Sequence, residues 1–196
     1  MYQQLKSTLV LFGFLTLLIG ILYPLTVTGI AQVVFPARAN GSLIERNEVL
    51  VGSSLIGQDF SSPGYFWGRP SATAGHPYNA LDLNVLSGSS GSNLGPLSQE
   101  LVDTVRQRLD ALRAEHPGNP LPVPIDLVTA SASGLDPDIS LAAAYFQVPR
   151  VARVRALNEA SVRALVDQYT TNRQFGFLGE PRVNVLLLNR ALNEIK

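Results

Sequence analysis

The chain has 196 residues with 15 basic and 15 acidic side chains, so its formal net charge is zero. Nucleic-acid-binding proteins usually show a basic excess or stripe, so that class is disfavoured. The absence of cysteine excludes disulfides, thiolate nucleophiles and thiolate zinc sites. A chain of this length has room for one ordinary domain beside a membrane segment.

The N-terminal part is almost continuously apolar. No charged side chain occurs in residues 7–37, and this run exceeds the roughly 20 residues that cross the hydrocarbon core of a bilayer. We predict a short tail over residues 1–8, a transmembrane helix over residues 9–35 and a soluble domain over residues 40–196.

The predicted helix has one candidate contact face. Gly13 and Gly20 are seven residues apart, so they share a face on which small residues allow another helix to approach closely. The competing interpretation is a cleaved secretory signal, because Ala37-Arg38-Ala39 has the small-x-small form of such cleavage sites. The apolar run is much longer than the ~7–15 residues of a signal core, so we expect the anchor to remain.

Beyond the anchor, short apolar stretches alternate with polar loops and amphipathic segments. This pattern favours the α+β class, with one transmembrane helix followed by a single compact α+β domain. The predicted elements are a strand or hairpin over 49–56, an irregular tract over 60–93, a helix over 97–112 ended by Pro117-Gly118, a helix over 159–171, a strand over 179–187 and a closing helix over 188–195.

Residues 128–140 form the most informative stretch, since a strand end, a turn and a helix start are predicted within it. Gly134 supplies a backbone position that can take a positive φ. Asp136 is predicted to cap a helix, with Pro137 at its first position, where the missing N–H is not needed. That helix is expected to continue over residues 139–146.

This stretch resembles the signature of the C subunit of the Kdp-type potassium-transporting P-type ATPase of bacteria. Three further blocks resemble the same family in the same order, and with the anchor they span nearly the whole chain. The blocks are residues 52–58 with 65–66 and 69–72, residues 91–96, and residues 179–186.

The resemblance implies a non-catalytic accessory subunit of a high-affinity, ATP-driven potassium importer, held in the inner membrane by a single span. The soluble domain would be extracytoplasmic. Implied partners are a potassium-translocating channel-like subunit, a P-type catalytic subunit that holds ATP, and a small single-span subunit. The implied role is to stabilise the assembly, to cap the external potassium entrance, or to raise the ATP affinity of the catalytic subunit.

Three residues of the irregular tract are candidates for contact with partners. Arg69 follows three aromatic residues, and Trp, Tyr and Arg are the types that concentrate binding energy at protein interfaces. Tyr78 and the adjacent Asn79 are further candidates. The alternative for all these residues is packing within the domain.

The sequence contains no recognisable phosphate-binding or hydrolytic motif. It has no Walker loop, Gly-x-Gly-x-x-Gly, His-Glu-x-x-His or Gly-x-Ser-x-Gly pattern, and it lacks the Asp-Lys-Thr-Gly-Thr phosphorylation motif of P-type pumps. Leu86-Ser87-Gly88-Ser89-Ser90 resembles the nucleotide signature of ABC transporters, which makes Ser87 and Gly88 nucleotide candidates. A flexible Ser/Gly loop is the alternative, and ATP does not reach an extracytoplasmic domain.

Two other function classes stay open, a membrane-anchored serine hydrolase and a periplasmic ligand-binding module. Two histidines without clustered carboxylates make a poor metal site, so no metal is expected. His116 is instead interpreted as a cation near the last carbonyls of a helix. A hydrolytic triad could draw on Ser131 or Ser133, His76 or His116, and Asp126 or Asp136.

A group of arginines near the C-terminal part is predicted to lie on a solvated helix face. Asp167 is four residues from Arg163 and is expected to pair with it. The other members of the group are Arg150, Arg153 and Arg155.

Overall fold

A computed structural model of the chain describes residues 2–46, 48–83 and 87–195. The chain divides into two units, Met1–Ser53 and Ser54–Lys196. The first unit contains the long apolar helix and the second contains helices and short antiparallel sheets. The predicted α+β class with an N-terminal apolar helix is confirmed.

The first unit begins with a helical stretch over Tyr2–Val34, whose most apolar window has a mean hydropathy of 2.3 and no buried residue. By length and composition it can cross a membrane. Helix α1 (Tyr2–Leu17) leads into a π-helical turn (Leu18–Leu22) and then into α2 (Tyr23–Val34). Pro24 lacks an N–H, and Thr26 Oγ1 donates to the Leu22 oxygen at 2.7 Å beside this irregular turn.

The rest of the first unit is a short helix and a hairpin. Helix α3 covers Pro36–Ala39, and strands β1 (Leu43–Arg46) and β2 (Val49–Ser53) pair antiparallel. The hairpin predicted around residues 49–56 is therefore confirmed, although its strand ends at Ser53.

The second unit contains four helices and two small antiparallel sheets in the part of the chain that the structure describes. The elements are β3 (Leu81–Asp82), β4 (Ser87–Gly88), α4 (Gln99–Glu115), a 3-10 turn (Ile125–Leu127), β5 (Asp138–Ser140), α5 (Leu141–Arg155), α6 (Glu159–Gln168), β6 (Thr170–Thr171), β7 (Arg182–Asn184) and α7 (Val185–Leu192). Strand β7 is the centre of a three-stranded sheet of order β5-β7-β6.

The core of the second unit lies between the three-stranded sheet and its helices. Ile139 of β5 and Val183 of β7 are paired in the sheet and fully buried. Phe146 of α5 and Leu188 of α7 belong to the same buried cluster. Burial of these apolar side chains supplies the main driving force for folding of this unit.

The predicted start of the helix after residue 136 is wrong. Residues 138–140 form strand β5, and Ser140 caps α5 by accepting from the Ala143 N–H at 3.0 Å. The predicted strand end at 127–129 is also wrong, because Ile125–Leu127 is a 3-10 turn. Pairing of β5 with β7 buries Ile139, and this tertiary contact outweighs the local capping signal at Asp136.

The C-terminal strand β7 (Arg182–Asn184) is shorter than the predicted strand over residues 179–187. Strand β7 ends at Asn184, whose Oδ1 accepts from the Leu187 N–H at 3.1 Å and caps α7. An uninterrupted apolar run does not distinguish a buried strand from a buried helix, which explains the error. The helices predicted over 97–112 and from residue 159 are confirmed by α4 and α6.

A buried segment without regular structure is held by two side-chain amides. The Asn189 amide accepts from the Phe66 N–H and donates to the Phe66 oxygen, each at 2.8 Å. The Gln147 amide accepts from the Trp67 N–H at 2.7 Å and donates to the Trp67 oxygen at 3.1 Å. Each amide thus replaces the backbone partner that a neighbouring strand would provide.

Arg150 is the largest fully buried side chain, with 1% of its surface exposed. Its Nε donates to His116 Nε2 at 3.0 Å, its Nη2 donates to Gln147 Oε1 at 2.7 Å, and its Nη1 donates to the Pro63 oxygen. Its guanidinium also lies 4.0 Å from the centroid of the Trp67 ring. We call these five residues the arginine cluster.

The arginine cluster corrects two predictions. Arg150 does not lie on a solvated face, and burial lowers its pKa to about 10, so it is charged at neutral pH. His116 is not a cation at the helix end. Its Nε2 accepts from Arg150, so Nδ1 carries the hydrogen and donates to the Leu112 oxygen at 2.7 Å. Burial lowers the pKa of His116.

The predicted pairing of Arg163 with Asp167 is replaced by a different arrangement. Asp167 accepts from the hydroxyl of Tyr145, which raises the pKa of Tyr145. Arg163 lies over the Tyr145 ring, 4.4 Å from its centroid. Tyr145 therefore contacts both charged residues, Asp167 through its hydroxyl and Arg163 through its ring.

Replacing Arg150 by methionine should destabilise the protein strongly. The substitution leaves buried acceptors on His116 and Pro63 without a donor and removes one of the two donors to Gln147 Oε1, so we expect a loss of about 3 kcal/mol or more. Denaturant unfolding of the full chain in detergent can be followed by the fluorescence of Trp67, the only tryptophan. The control Arg153→Met changes an exposed arginine of the same helix, which donates to the Glu115 oxygen at 3.3 Å, and should cost at most about 0.5 kcal/mol. Equal losses would contradict the assigned role.

The free energy of unfolding should fall as the pH decreases below about 6.5, the ordinary pKa of histidine. Because the folded pKa of His116 is lowered, the unfolded chain binds more protons in this range, and stability rises with pH there. His116→Gln keeps an acceptor for Arg150 but does not titrate, so it should flatten this dependence. His76→Gln, which changes an exposed histidine, should leave it unchanged, and the reverse result would contradict the prediction.

Candidate functional site

The stretch that the sequence singled out forms a loop at which several segments meet. We call residues 130–137 the central loop. Its backbone bonds to four segments that are far apart in the chain, so it acts as their common attachment point. The bonds run from the Ser131 N–H to the Pro70 oxygen at 3.1 Å, from the Ser90 N–H to the Ser133 oxygen at 2.9 Å, from the Gly57 N–H to the Leu135 oxygen at 2.9 Å and from the Val185 N–H to the Pro137 oxygen at 2.9 Å.

Glycines make this close approach possible. Gly134 has a φ of +68°, and a Cβ there would lie 2.6 Å from the Ser90 oxygen. At Gly91 a Cβ would lie 2.7 Å from the Ala132 oxygen. Real Cβ atoms do not approach backbone oxygens so closely, so both positions require glycine for steric reasons.

Arg69 joins the central loop through an ion pair. Its Nη1 lies 3.1 Å from Asp136 Oδ2, and its Nη2 donates to the Ala130 oxygen at 3.3 Å. The other oxygen of Asp136 accepts from the Asp138 N–H at 3.0 Å. Asp136 therefore anchors Arg69 and fixes the end of the loop, in place of the predicted helix cap.

Tyr78 packs against the same region in a left-handed backbone conformation, with a φ of 58°. Its hydroxyl donates to the Arg69 oxygen at 2.6 Å, and its N–H donates to Ser71 Oγ at 2.9 Å. Burial, assisted by the charges of Asp136 and Asp59, raises the pKa of Tyr78 to about 12. The hydroxyl therefore stays protonated and remains a donor at physiological pH.

The structure thus brings together three of the residues that we considered for partner contact. The Asn79 side chain donates to the Ala74 oxygen at 3.0 Å beside Tyr78. The Tyr78 hydroxyl, the Asn79 amide and both Nη atoms of Arg69 bond inside the domain, whereas the buried Arg69 Nε has no hydrogen-bond partner among the described residues. Arg69 and Tyr78 also line a cleft described below. Their contact with partners stays a prediction.

Gly13 and Gly20 belong to the first unit. A Cβ at Gly13 would meet nothing within 4 Å, and one at Gly20 would meet only Thr16 Cγ2 at 3.9 Å. The helix is therefore open to solvent or lipid at both positions, as a contact face for another helix requires.

The candidate nucleotide residues lie in strand β4. Leu81 pairs with Gly88 and Asp82 pairs with Ser87. Ser89 Oγ donates to the Ser133 oxygen at 2.9 Å, so this segment is attached to the central loop. Leu86, which begins the sequence pattern, lies outside the described residues.

In the part of the chain that the structure describes, no hydrogen bond joins His76 or His116 to Ser131 or Ser133. Ser131 is 3% exposed, and its Oγ accepts from the Gly134 N–H at 2.8 Å. Ser133 Oγ accepts from the Leu135 N–H at 3.1 Å. His116 belongs to the arginine cluster, and His76 Nδ1 lies 3.1 Å from the Pro77 oxygen. The geometry therefore gives the hydrolase interpretation no support.

Among the described residues, no group of three or more histidines and carboxylates could hold a metal ion. The acidic side chains near the central loop are instead paired with local donors. Asp126, whose role the sequence did not reveal, accepts from the N–H and the hydroxyl of Ser140 at 2.7 and 3.1 Å.

Two clefts flank Arg69. The acidic cleft, of about 510 Å³, is lined by Arg69, Asp136 and residues of β5 and β7. Its other carboxylates are also satisfied, since Asp138 pairs with Arg182 at 2.9 Å and Glu180 pairs with Arg173 at 2.6 Å. It therefore presents no carboxylate that lacks a local partner.

The aromatic cleft, of about 400 Å³, lies on the other side, and three aromatic and two proline side chains line it. Asp59 and Phe60 contribute to it and were missed by the sequence analysis. The only signal was their position, just ahead of the aromatic run at residues 65–67. The lining residues are Asp59, Phe60, Ser61, Trp67, Gly68, Arg69, Pro70, Ser71, Pro77 and Tyr78.

Residues 5–194 match the family model described as K+-transporting ATPase, c chain. The chain belongs to this family. It is 60% identical over 193 residues to the potassium-transporting ATPase KdpC subunit of Methylibium petroleiphilum, with 98% of each chain covered. It is 61% identical over 196 residues to the KdpC subunit of Polaromonas naphthalenivorans, covering 100% of this chain and 97% of the relative. The resemblance drawn from the sequence blocks is confirmed.

Gly134→Ala should destabilise this KdpC-family protein more than Gly118→Ala does. Both glycines have positive φ, but a Cβ at Gly118 would meet nothing within 4 Å. We expect Gly118→Ala to cost about 1 kcal/mol from backbone strain alone and Gly134→Ala to cost at least about 2 kcal/mol more, because the central loop must also move. Unfolding midpoints from Trp67 fluorescence measure both. Equal losses would show that the close approach to Ser90 is not required.

Proposed function

We propose that this KdpC-family chain is a non-catalytic accessory subunit of a high-affinity, ATP-driven potassium importer. Family membership over residues 5–194 is the observation that carries the proposal. The proposal places the chain in the bacterial inner membrane as a single-pass protein. Its partners would be a channel-like potassium-translocating subunit, a P-type catalytic subunit and a small single-span subunit.

The large unit is proposed to lie outside the cytoplasm and to act as a rigid docking body. Central-loop bonds and the arginine cluster fix segments that would otherwise be long mobile loops. A surface ordered in advance loses less conformational entropy when a partner binds. This favours a role in stabilising the assembly or in covering the external potassium entrance.

Raising the ATP affinity of the catalytic subunit is a separate prediction. Ser87 and Gly88 would have to meet a nucleotide held by that subunit, and their main chain already pairs with β3. Such contact also requires the large unit to be cytoplasmic. We therefore favour the structural role, with ATP held by the catalytic subunit.

Removal of residues 54–196 should abolish stable assembly while leaving the anchor in the membrane. We would purify the tagged full chain and the truncated chain in mild detergent from potassium-starved cells. Co-purifying proteins and potassium-stimulated ATP hydrolysis are the two readouts. The full chain should retain partners and activity, and the truncated chain should retain less than about a tenth of the partners.

Protease protection in spheroplasts and in inverted vesicles provides the matching topology measurement. We expect the large unit to be cleaved from the outside only. Wild-type assembly and potassium affinity in the truncated strain would contradict the assembly role. Cleavage from the cytoplasmic side would contradict a role in covering the external potassium entrance and would favour a role in raising the ATP affinity of the catalytic subunit.

A further inference from the structure

The aromatic cleft combines an apolar wall with one carboxylate that has no local partner. Two charged side chains line it, Asp59 and Arg69. Arg69 is paired with Asp136 at 3.1 Å. Asp59 is exposed and makes no hydrogen bond or ion pair within the described ranges. The cleft therefore presents one uncompensated negative charge.

Three polar side chains of the wall are already bonded within the domain. Tyr78 donates its hydroxyl to the Arg69 oxygen at 2.6 Å, and Trp67 Nε1 donates to the Ser62 oxygen at 3.0 Å. Ser71 Oγ donates to the Gly134 oxygen at 2.7 Å. Arg69 Nε has no hydrogen-bond partner among the described residues, but it is buried and therefore out of reach of a ligand in the cleft. Few accessible donors remain for an anionic ligand, so the cleft is poorly suited to one.

The remaining surface suits a cation on an apolar stem. Aromatic rings attract cations through their electron-rich faces, and lysine and arginine bury their methylene chains along apolar walls. Trp67 already holds Arg150, 4.0 Å from its ring centroid. We therefore expect Phe60 and Tyr78 to contact the incoming side chain, with Asp59 near its charged end.

We propose that the aromatic cleft is a docking pocket for a lysine or arginine side chain of another subunit. A cleft of about 400 Å³ lies at the lower end of the sizes of ligand pockets and has room for one long side chain. Because Asp59 is negatively charged, we expect the side chain that binds in the cleft to be positively charged. This inference rests on the proposed function, since it names a contact through which the accessory subunit binds another subunit.

A free metal cation is a poorer occupant. Hard cations take several oxygen ligands, and the acidic cleft, which has more carboxylates, has them all paired with local donors. The aromatic cleft offers one carboxylate beside carbon surfaces. A guanidinium or ammonium group can pair with this carboxylate, and the attached methylene chain and the cation can both contact the aromatic rings.

The test compares Asp59→Asn with Asp110→Asn in the complete complex. Both changes remove one exposed carboxylate, and Asp110 lies on α4, away from the lining of the cleft. We expect Asp59→Asn to weaken retention of partner subunits up to about fivefold and to lower the salt concentration at which they dissociate. Asp110→Asn should behave as the wild-type chain does.

Further variants test the wall and identify the occupant. Phe60→Ala should weaken retention about threefold through loss of the ring, and Asp59→Lys should weaken it more than Asp59→Asn. Restoration of binding to Asp59→Lys by a lysine-to-glutamate or arginine-to-glutamate change in a partner would identify the docked residue. Unfolding followed by Trp67 fluorescence controls for folding, and Asp59→Asn should leave the midpoint unchanged.

The outcomes separate this inference from the proposed function. Failure of the wild-type chain to retain any partner would overturn the proposed function and the docking pocket together. Full retention by the wild type, Asp59→Asn and Asp59→Lys alike would overturn the pocket alone. Dependence on Asp59 of co-purification between tagged and untagged copies of this chain would show a second copy as the occupant, which also overturns the assignment to another subunit.

Discussion

The buried guanidinium of Arg150 is the constraint on which the large unit depends. It carries a charge in the interior, and its partners there are neutral: a histidine, an amide, a backbone carbonyl and an indole ring. Because burying a charge is costly unless every donor is satisfied, α4, α5 and the segment before Phe66 must lie in one arrangement. The backbone of residues 66–67 is then held by hydrogen bonds to Gln147 and Asn189. These bonds determine the position from which the chain continues to Arg69.

The polar groups at the central loop, which Arg69 contacts, are also bonded within the fold. Serine hydroxyls, the Asp136 carboxylate and backbone carbonyls all find partners within the fold, and Gly134 allows the segments to approach closely. Ser131, Ser133 and Asp136, which could suggest a nucleophile or an acid in the sequence, each accept a hydrogen bond within this region. A rigid surface with little chemistry of its own agrees with the accessory role proposed for this member of the KdpC family.

Charge distribution distinguishes the two clefts on either side of Arg69. In the acidic cleft, each carboxylate is matched by an arginine or by Ser140. In the aromatic cleft, Asp59 has no such match, while the hydroxyl of Tyr78 is committed to the backbone. An unmatched charge beside aromatic rings favours binding of a cationic side chain, because electrostatic complementarity guides association and selects the partner.

The sequence by itself determined the apolar anchor, the α+β class, the amphipathic helices α4 and α6, and the family, since these follow from local periodicity and from residue blocks in order. It also singled out Arg69 and Tyr78, which the fold places in one junction. Only the tertiary structure decided that Arg150 is buried, that Asp136 pairs with Arg69 rather than capping a helix, and that Asp59 faces aromatic rings. Those outcomes depend on contacts between residues far apart in the chain, and such contacts leave no periodic signal in the sequence.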